Sequence, residues 1–173
     1  MKDLQDIFDL LPGCYLILSP EIPRFKILGV NQAYLDATQK TKEIIGKPMF
    51  EVFPDNPDDA AATGVKNLTA SLLKAIKTKK KHVMAIQRYD TLSADGSRFE
   101  LHYWKPVNIP VVDKDGTVKC IIHSVSEVTD VVLLRKNINE KDASNQRQIS
   151  DAIQTTQEME RMEISQEDRK SVV

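Results

Sequence analysis

Five side chains carry the groups that most often do chemistry in proteins: His82, His102, His123, Cys14 and Cys120. Histidine titrates near neutral pH and ligates metals and haem, and a cysteine thiolate is a nucleophile. The two cysteines stand too far apart for a CxxC metal site or a disulfide framework. No Ser-His-Asp or Cys-His signature surrounds any of the five, so an enzyme would have only His102 and His123 as scattered acid-base candidates. The sequence therefore predicts no catalytic residue.

Three carboxylates close together, Asp55, Asp58 and Asp59, are the other candidate for chemistry. Hard cations such as Ca²⁺ take several oxygen ligands, so the cluster fits a cation site in principle. The local sequence Pro-Asp-Asn-Pro-Asp-Asp is more typical of a solvated turn and a helix cap. We therefore predict a turn here and no metal site.

His123 lies in the segment CIIHSVSEVTD, Cys120 to Asp130. Alternation along a strand places Ile121, His123 and Val125 on one face. If that face lines a pocket, the imidazole can contact a ligand or respond to pH. The alternative is a core histidine paired with a neighbouring strand, which is the commoner state of a buried polar group. Both interpretations stay open.

The first half of the chain must supply helices and one strand pair to position these groups. Apolar spacing predicts a short amphipathic helix that ends at Pro12-Gly13, and Asn31 is a candidate helix cap. Repeated Gly and Pro residues in Ile44 to Gly64 allow only short turns. The expected elements are a helix at 3–11, strands at 14–20 and 24–31, and helices at 31–39 and 64–80.

The second half reads as three consecutive antiparallel strands, His82 to Leu92, Arg98 to Val112 and Thr117 to Val128, joined by two Asp-Gly turns. Together with the first pair they give a five-stranded antiparallel sheet with helices on one face, an α+β fold. The pocket is expected between sheet and helices. Tyr103 and Trp104 are adjacent, so only one of them can face it. The candidate ligand-binding residues are Gln87, Tyr89, Tyr103 and His123.

Composition limits the class of protein. The chain has 173 residues, 41% hydrophobic and 28% charged, which suits one globular domain with an appendage. A net charge of −1 disfavours nucleic acid as a partner. The acidic start does not resemble a secretory signal, and no apolar run is long enough for a membrane span. These features predict a cytoplasmic location.

Residues 131–173 form a polar, helix-permissive segment without glycine or proline. A narrow apolar seam runs through it, but Lys141 to Gln148 interrupts the seam, so the coiled-coil signal is weak. We expect a projecting helix that pairs in a dimer, and the sequence leaves the order of residues 143–173 open.

The blocks GVNQAYL, IIGKPMFEVFPDNPDD and DGSRFELHYWKPVNIPVVDKDGTVKCIIHSVSEVTD, in this order and spacing, resemble a PAS sensor domain. The resemblance is to the type found at the N-terminus of bacterial sensor histidine kinases. It implies an N-terminal capping helix at 1–13, a PAS domain at 14–130 and a C-terminal signalling helix at 131–173. It also implies a signal junction at the end of the last strand, formed by Glu127, Val128, Thr129 and Asp130.

The function implied is that of a cytosolic sensory or interaction module of bacterial two-component signalling. It would be a homodimer, bind a small molecule or partner, and act on a histidine-kinase output. The chain lacks a phosphoacceptor His-Glu motif and a nucleotide box, so it is either a fragment of a kinase or a stand-alone dimerisation protein.

A haem-binding or other cofactor-binding gas or redox sensor is the alternative. No cofactor is required by the sequence, and its identity is unknown. His82 is the haem candidate, but it follows a lysine run and has no second histidine at a defined spacing. Light-sensing relatives need a cysteine in a GxNCRFLQ-like stretch, and GVNQAYL has none, so flavin photochemistry is not expected.

Overall fold

The computed structural model describes residues 2–93 and 95–170. Its contacts divide the chain after Thr129 into two units. The first unit begins with helix α1 and an antiparallel strand pair, followed by helix α2, as predicted. The elements are α1 Lys2–Asp9, β1 Cys14–Leu18, β2 Ile27–Val30 and α2 Gln32–Thr38.

Asn31 fastens this first part together. It is fully buried, and its side-chain oxygen accepts hydrogen bonds from the backbone N–H groups of Tyr15 (2.9 Å) and Tyr34 (3.2 Å). Its amide nitrogen donates to the carbonyls of Leu11 (3.2 Å) and Gly13 (2.7 Å). The predicted helix cap is confirmed, and the same side chain also holds the α1–β1 connection.

The segment between α2 and the next long helix contains only short turns, as its glycines and prolines predict. A 3-10 turn spans Lys42–Ile44, and the four-residue helix α3 spans Met49–Val52. The long helix α4 then runs over Gly64–Thr78 and buries Ser71, Leu72 and Ala75. These elements lie over one face of the sheet and form its cover.

The later strands differ from the predicted three. The run predicted at 82–92 is broken into β3 His82–Val83, β4 Gln87–Arg88 and β5 Thr91–Leu92. At the break the register against β7 shifts by one residue, and the Gln87 amide there donates to the carbonyls of Ala85 and Ile86. The run at 98–112 is likewise divided, so the remaining strands are β6 Phe99–Glu100, β7 Tyr103–Val112 and β8 Val118–Glu127.

The main sheet has five positions, in the order β2-β1-β8-β7-β3, with β4 also paired to β7. All pairs are antiparallel. The predicted five-stranded sheet is confirmed, except that two short strands share its fifth position, while β5 and β6 form a separate pair. On β7 and β8 the buried residues alternate, and Trp104, Asn108 and His123 all face the helices.

The second unit is almost entirely helix. Helix α5 covers Thr129–Lys170, so the predicted C-terminal helix is confirmed. Apolar side chains such as Leu134, Ile138 and Ile149 are exposed along it. The predicted pairing of this helix in a dimer remains a prediction. No helix in the described part of the chain is long and apolar enough to cross a membrane.

Candidate functional site

A small cavity of about 60 Å³ lies between the inner face of the sheet and the helices that cover it. Its wall is apolar and aromatic, and none of the lining residues carries a formal charge. Helices α2, α3 and α4 supply one side, and strands β4, β7 and β8 supply the other. The lining residues include Tyr34, Met49, Gly64, Met84, Gln87, Tyr89, Trp104 and His123.

Three of the four predicted ligand-binding residues line this cavity: Gln87, Tyr89 and His123. The fourth, Tyr103, does not, because the inward positions of β7 begin at Trp104. Trp104 is only 4% exposed and lines the cavity in its place. The sequence predicted that these two neighbours face opposite ways but did not show which one faces inward.

The polar groups of Gln87 and Tyr89 are occupied by the protein. The Gln87 side-chain oxygen accepts from Asn67 at 2.7 Å, while its nitrogen donates to backbone carbonyls. The Tyr89 hydroxyl donates to the carbonyls of Phe53 and Pro54. These side chains therefore build the wall, and neither is a free anchor for a ligand.

His123 belongs to a chain of buried hydrogen bonds. Its Nδ1 lies 2.7 Å from the Asn108 side-chain oxygen, and the Asn108 nitrogen donates to the Ser71 hydroxyl at 2.7 Å. The Ser71 oxygen lies 2.7 Å from Nδ1 of His82. One ring nitrogen of His123 is therefore paired within the core, as the second interpretation predicted. The row of hydrogen bonds extends from the cavity to strand β3 at the edge of the sheet.

The other nitrogen of His123, Nε2, has no hydrogen-bond partner among the described residues. Among the described residues, every side-chain nitrogen or oxygen that is fully shielded from open space has a hydrogen-bond partner, so Nε2 must border an open space. Since the ring is 2% exposed and lines the cavity, the open space next to Nε2 is the cavity. Burial lowers the pKa of His123 to about 4, so the ring is neutral at pH 7.

A second, polar cleft of about 180 Å³ lies outside the cavity. Gly64, Gln87 and Tyr89 line both spaces and form the partition between them. Across the cleft, Arg88 forms ion pairs with Asp59 at 3.3 Å and with Asp90 at 3.0 Å. The pair with Asp59 joins β4 to the loop before α4, whereas the pair with Asp90 lies within the connection that follows β4.

The acidic cluster acts as the predicted turn and cap. Asp55 accepts from the Val65 backbone N–H at the start of α4, and Asp59 accepts from that of Ala61. No group of three or more potential metal-ligating side chains occurs among the described residues.

The remaining candidates for chemistry lie outside the cavity. His82 forms a hydrogen bond with Ser71, and His102, the residue directly before β7, forms one with Glu127. Neither cysteine lines the cavity. Burial raises the pKa of both Cys14 and Cys120, so both thiols stay protonated at neutral pH.

The predicted signal junction is tied to the cavity wall. Trp104 stacks on His102 with ring centroids 5.6 Å apart, and His102 Nδ1 lies 2.7 Å from a Glu127 carboxylate oxygen. That oxygen accepts from the Thr129 hydroxyl at 3.0 Å, and the same hydroxyl accepts from the Tyr103 backbone N–H at 2.9 Å.

The other two junction residues sit on either side of Thr129. The Val128 backbone N–H donates to the Tyr103 carbonyl at 2.8 Å. Asp130 lies in the first turn of α5, where a carboxylate complements the helix dipole.

Solved structures with the same arrangement include a PAS domain from Colwellia psychrerythraea, at 15% identity and a TM-score of 0.54, covering 75% of this chain and 97% of that one. The chain has a PAS fold. A sensory box sensor histidine kinase from Vibrio cholerae is similar at 21% identity and a TM-score of 0.51, with 74% and 90% covered.

An RNA-binding Light-Oxygen-Voltage receptor is similar at 14% identity and a TM-score of 0.60. The match covers 84% of this chain and 37% of the receptor, so the chain spans little more than a third of that protein. At these identities the similarity establishes the PAS fold alone. No protein-family model and no curated protein matches the sequence.

Sequence reasoning missed Asn108 and Ser71, the two residues that fix His123. Asn108 was detectable, because it lies seven residues before Asp115 while His123 lies seven residues after Gly116. Folding the chain at that Asp-Gly turn places the two opposite each other, as observed. Ser71 has no such signal, because its position depends on how α4 rotates against the sheet.

Proposed function

We propose that this PAS unit is a cytoplasmic sensory module whose cavity binds a small molecule. Binding changes the sheet next to the junction and thereby biases helix α5, which acts on a histidine-kinase output. The resemblance to kinase-associated PAS domains supports the output. The site supports binding, because an apolar, aromatic wall with a few polar groups that face inward, here His123 Nε2 and the Tyr34 hydroxyl, is the usual lining of a small-molecule site.

The contact that carries the proposal is the stack of His102 on Trp104. One face of Trp104 belongs to the cavity wall, and His102 is bonded to Glu127 at the junction. A ligand that displaces Trp104 must therefore disturb the Glu127–Thr129 contacts. A ligand shifts such an equilibrium only by the difference in its affinity for the two arrangements.

Binding is directly measurable because Trp104 is the only tryptophan of the chain. A panel of small molecules is titrated while the fluorescence of Trp104 is recorded. Leu68→Phe, which enlarges a lining side chain, should reduce the response without unfolding the protein. A panel in which no compound changes the fluorescence or the melting temperature would contradict ligand binding.

The relay is tested at Thr129. Thr129→Val keeps the shape of the side chain and removes both hydroxyl hydrogen bonds, whereas Thr129→Ser keeps the hydroxyl and is the matched control. In a fusion to a histidine-kinase catalytic region, we expect the valine variant to bind ligand normally but to lose the ligand effect on autophosphorylation. A valine variant with a normal ligand response would exclude this route.

We propose that the protein acts as a homodimer through α1 and α5. Leu4 and Ile7 are exposed on α1 and Leu10 directly after it, and apolar side chains of α5 such as Leu134, Ile138 and Ile149 are exposed as well. A helix whose apolar side chains are solvated lacks the packing that supplies most of the stability of helices in proteins. Sedimentation equilibrium should show a dimer that weakens when residues 131–173 are removed, and a strictly monomeric chain at all concentrations would contradict the proposal.

A cofactor-binding sensor is the second candidate, since the fold is shared with a Light-Oxygen-Voltage receptor. A flavin or haem needs several times the volume of about 60 Å³, and no cysteine lines the cavity for adduct chemistry. A colourless purified protein would support the small-molecule proposal, and a flavin or Soret band would favour the cofactor.

A further inference from the structure

The orientation of the Asn108 side-chain amide determines the polarity of the cavity. Its nitrogen faces both the Ser71 hydroxyl at 2.7 Å and the Met84 sulfur at 3.8 Å. A thioether sulfur can accept but not donate a hydrogen bond, so an NH₂ on this side satisfies both neighbours, whereas an oxygen would gain nothing from the sulfur. The oxygen of the same amide therefore faces His123, with which Asn108 is paired across β7 and β8.

This orientation fixes the tautomer of His123. Because the Asn108 oxygen only accepts, Nδ1 of His123 must carry the proton. A neutral imidazole has one protonated nitrogen, so Nε2 presents a lone pair. Burial keeps the ring neutral by lowering its pKa to about 4. The cavity is thus lined by an unpaired hydrogen-bond acceptor.

Among the other polar groups of the wall, the hydroxyls of Tyr34 and Thr91 also border the cavity. The Thr38 hydroxyl donates to the Tyr34 carbonyl, and the Trp104 N–H donates to the Tyr89 carbonyl. The Tyr34 ring lines the cavity with its centroid 6.3 Å from that of His123, and burial raises the pKa of its hydroxyl so that it stays protonated. A hydroxyl on a ligand can donate to His123 and accept from Tyr34.

We propose that the cavity selects small neutral alcohols and phenols, molecules that donate a hydrogen bond to His123 Nε2, over ketones and carboxylates of the same size. A carboxylate is disfavoured because no lining residue carries a positive charge. A ketone leaves Nε2 unpaired, and an unpaired buried acceptor is costly. This inference rests on the proposed function of the cavity as a ligand site.

Size limits the ligand and requires the wall to adapt. A cavity of about 150 Å³ accommodates benzene, so a six-membered ring does not fit the present volume of about 60 Å³ without movement. Met49 and Met84 line the cavity, and methionine side chains repack easily.

The test compares cyclohexanol, cyclohexanone and cyclohexane, which share one ring and differ in hydrogen bonding. Dissociation constants are measured by Trp104 fluorescence and by protein NMR shifts. We expect cyclohexanol to bind about threefold to tenfold more tightly than cyclohexanone, the factor that one net hydrogen bond supplies. Equal affinities, or a preference for the ketone, would overturn the inference while leaving ligand binding intact.

Two variants separate the tautomer from general packing. Asn108→Asp places a carboxylate against Nδ1, which favours the protonated ring and turns Nε2 into a donor, so the ratio of the two affinities should move toward the ketone. His123→Phe should abolish the preference and keep the binding of cyclohexane. A His123→Phe variant that still prefers the alcohol would overturn the assignment. The smaller pair 2-propanol and acetone is titrated alongside, because it needs less movement of the wall; if neither this pair nor the three rings bind the folded wild-type protein, the proposed ligand site itself fails.

Discussion

Gly64→Ala tests the partition between the cavity and the outer cleft. Gly64 is the first residue of α4, and the Tyr89 ring lies directly against it. A Cβ at this position would lie 2.6 Å from Tyr89 Cε2 and closer still to Cδ2, whereas ordinary contact begins at 3.4 Å. The ring must therefore move by roughly 1 Å or more, because carbon atoms do not approach so closely.

The expected cost follows from what holds the ring. Overpacking of this kind costs about 1–3 kcal/mol of unfolding free energy. Moving the ring also strains the hydrogen bond that the single proton of the Tyr89 hydroxyl shares between the carbonyls of Phe53 and Pro54, worth about 1 kcal/mol in total. The higher helix propensity of alanine offsets about 0.5–1 kcal/mol. Gly64→Ala should therefore destabilise the protein by about 1–4 kcal/mol.

Urea unfolding of four proteins isolates the contact: wild type, Gly64→Ala, Tyr89→Ala and the double variant. Without the Tyr89 ring, the cost of Gly64→Ala should fall by about 1–3 kcal/mol, leaving the smaller crowding of Asp55 at 2.9 Å. Gly29→Ala is the control, because its Cβ would meet Ile17 at an ordinary 3.5 Å. Equal costs of Gly64→Ala with and without the ring would refute the reasoning.

The buried polar groups give three further outcomes, each measured by urea unfolding. Asn31→Ala removes four hydrogen bonds and should lower the free energy of unfolding by about 3–5 kcal/mol. Asn137→Ala, at an exposed position, is the control and should be nearly neutral. A loss of less than about 1.5 kcal/mol for Asn31→Ala would contradict the expected role of the four bonds. Asn108→Leu leaves the Nδ1–H of His123 unpaired and should lower the free energy of unfolding of the wild type by about 1–3 kcal/mol. In the His123→Phe variant the same substitution should cost little, because no ring N–H is left unpaired. Equal costs in the two proteins would exclude the hydrogen bond between Asn108 and His123. Because the pKa of His123 is about 4 in the folded state and about 6.5 unfolded, the unfolded chain binds the proton first as pH falls. Stability should then drop by up to roughly 3 kcal/mol between pH 6.5 and 4, and His123→Phe, measured alongside, should flatten this slope if the assignment holds.

The sheet was predictable because its signals are local. Period-two alternation, two Asp-Gly turns and the Asn31 cap need only neighbouring residues, and all appear where expected, with Gly96 and Gly116 at positive φ. The break of the fifth strand was not predictable, because it is a one-residue shift of register against β7, and no pattern within residues 82–92 contains the pairing with β7.

The candidate site was predicted only as far as strand faces allow. Alternation placed His123 with Ile121 and Val125, and all three are buried. Alternation alone does not tell which of the two sets of alternate residues faces inward, however. Tyr103 was assigned to the inward set of β7, whereas Trp104 belongs to it. The roles of Gln87 and Tyr89 as wall residues depend on contacts with α4 and the loop before it, which no strand pattern contains.

The small volume of the cavity bears on how the module would signal. A ligand larger than the cavity binds only when side chains of the wall move. Part of the free energy gained from its contacts with the wall is then used to displace those side chains. If Trp104 moves, the displacement reaches Glu127 through His102. If Tyr89 moves instead, it opens the cavity toward the cleft and leaves the junction unchanged. Signalling through the junction therefore requires that a ligand displace Trp104 more easily than Tyr89. The Tyr89 ring packs closely on Gly64, and this packing opposes its displacement.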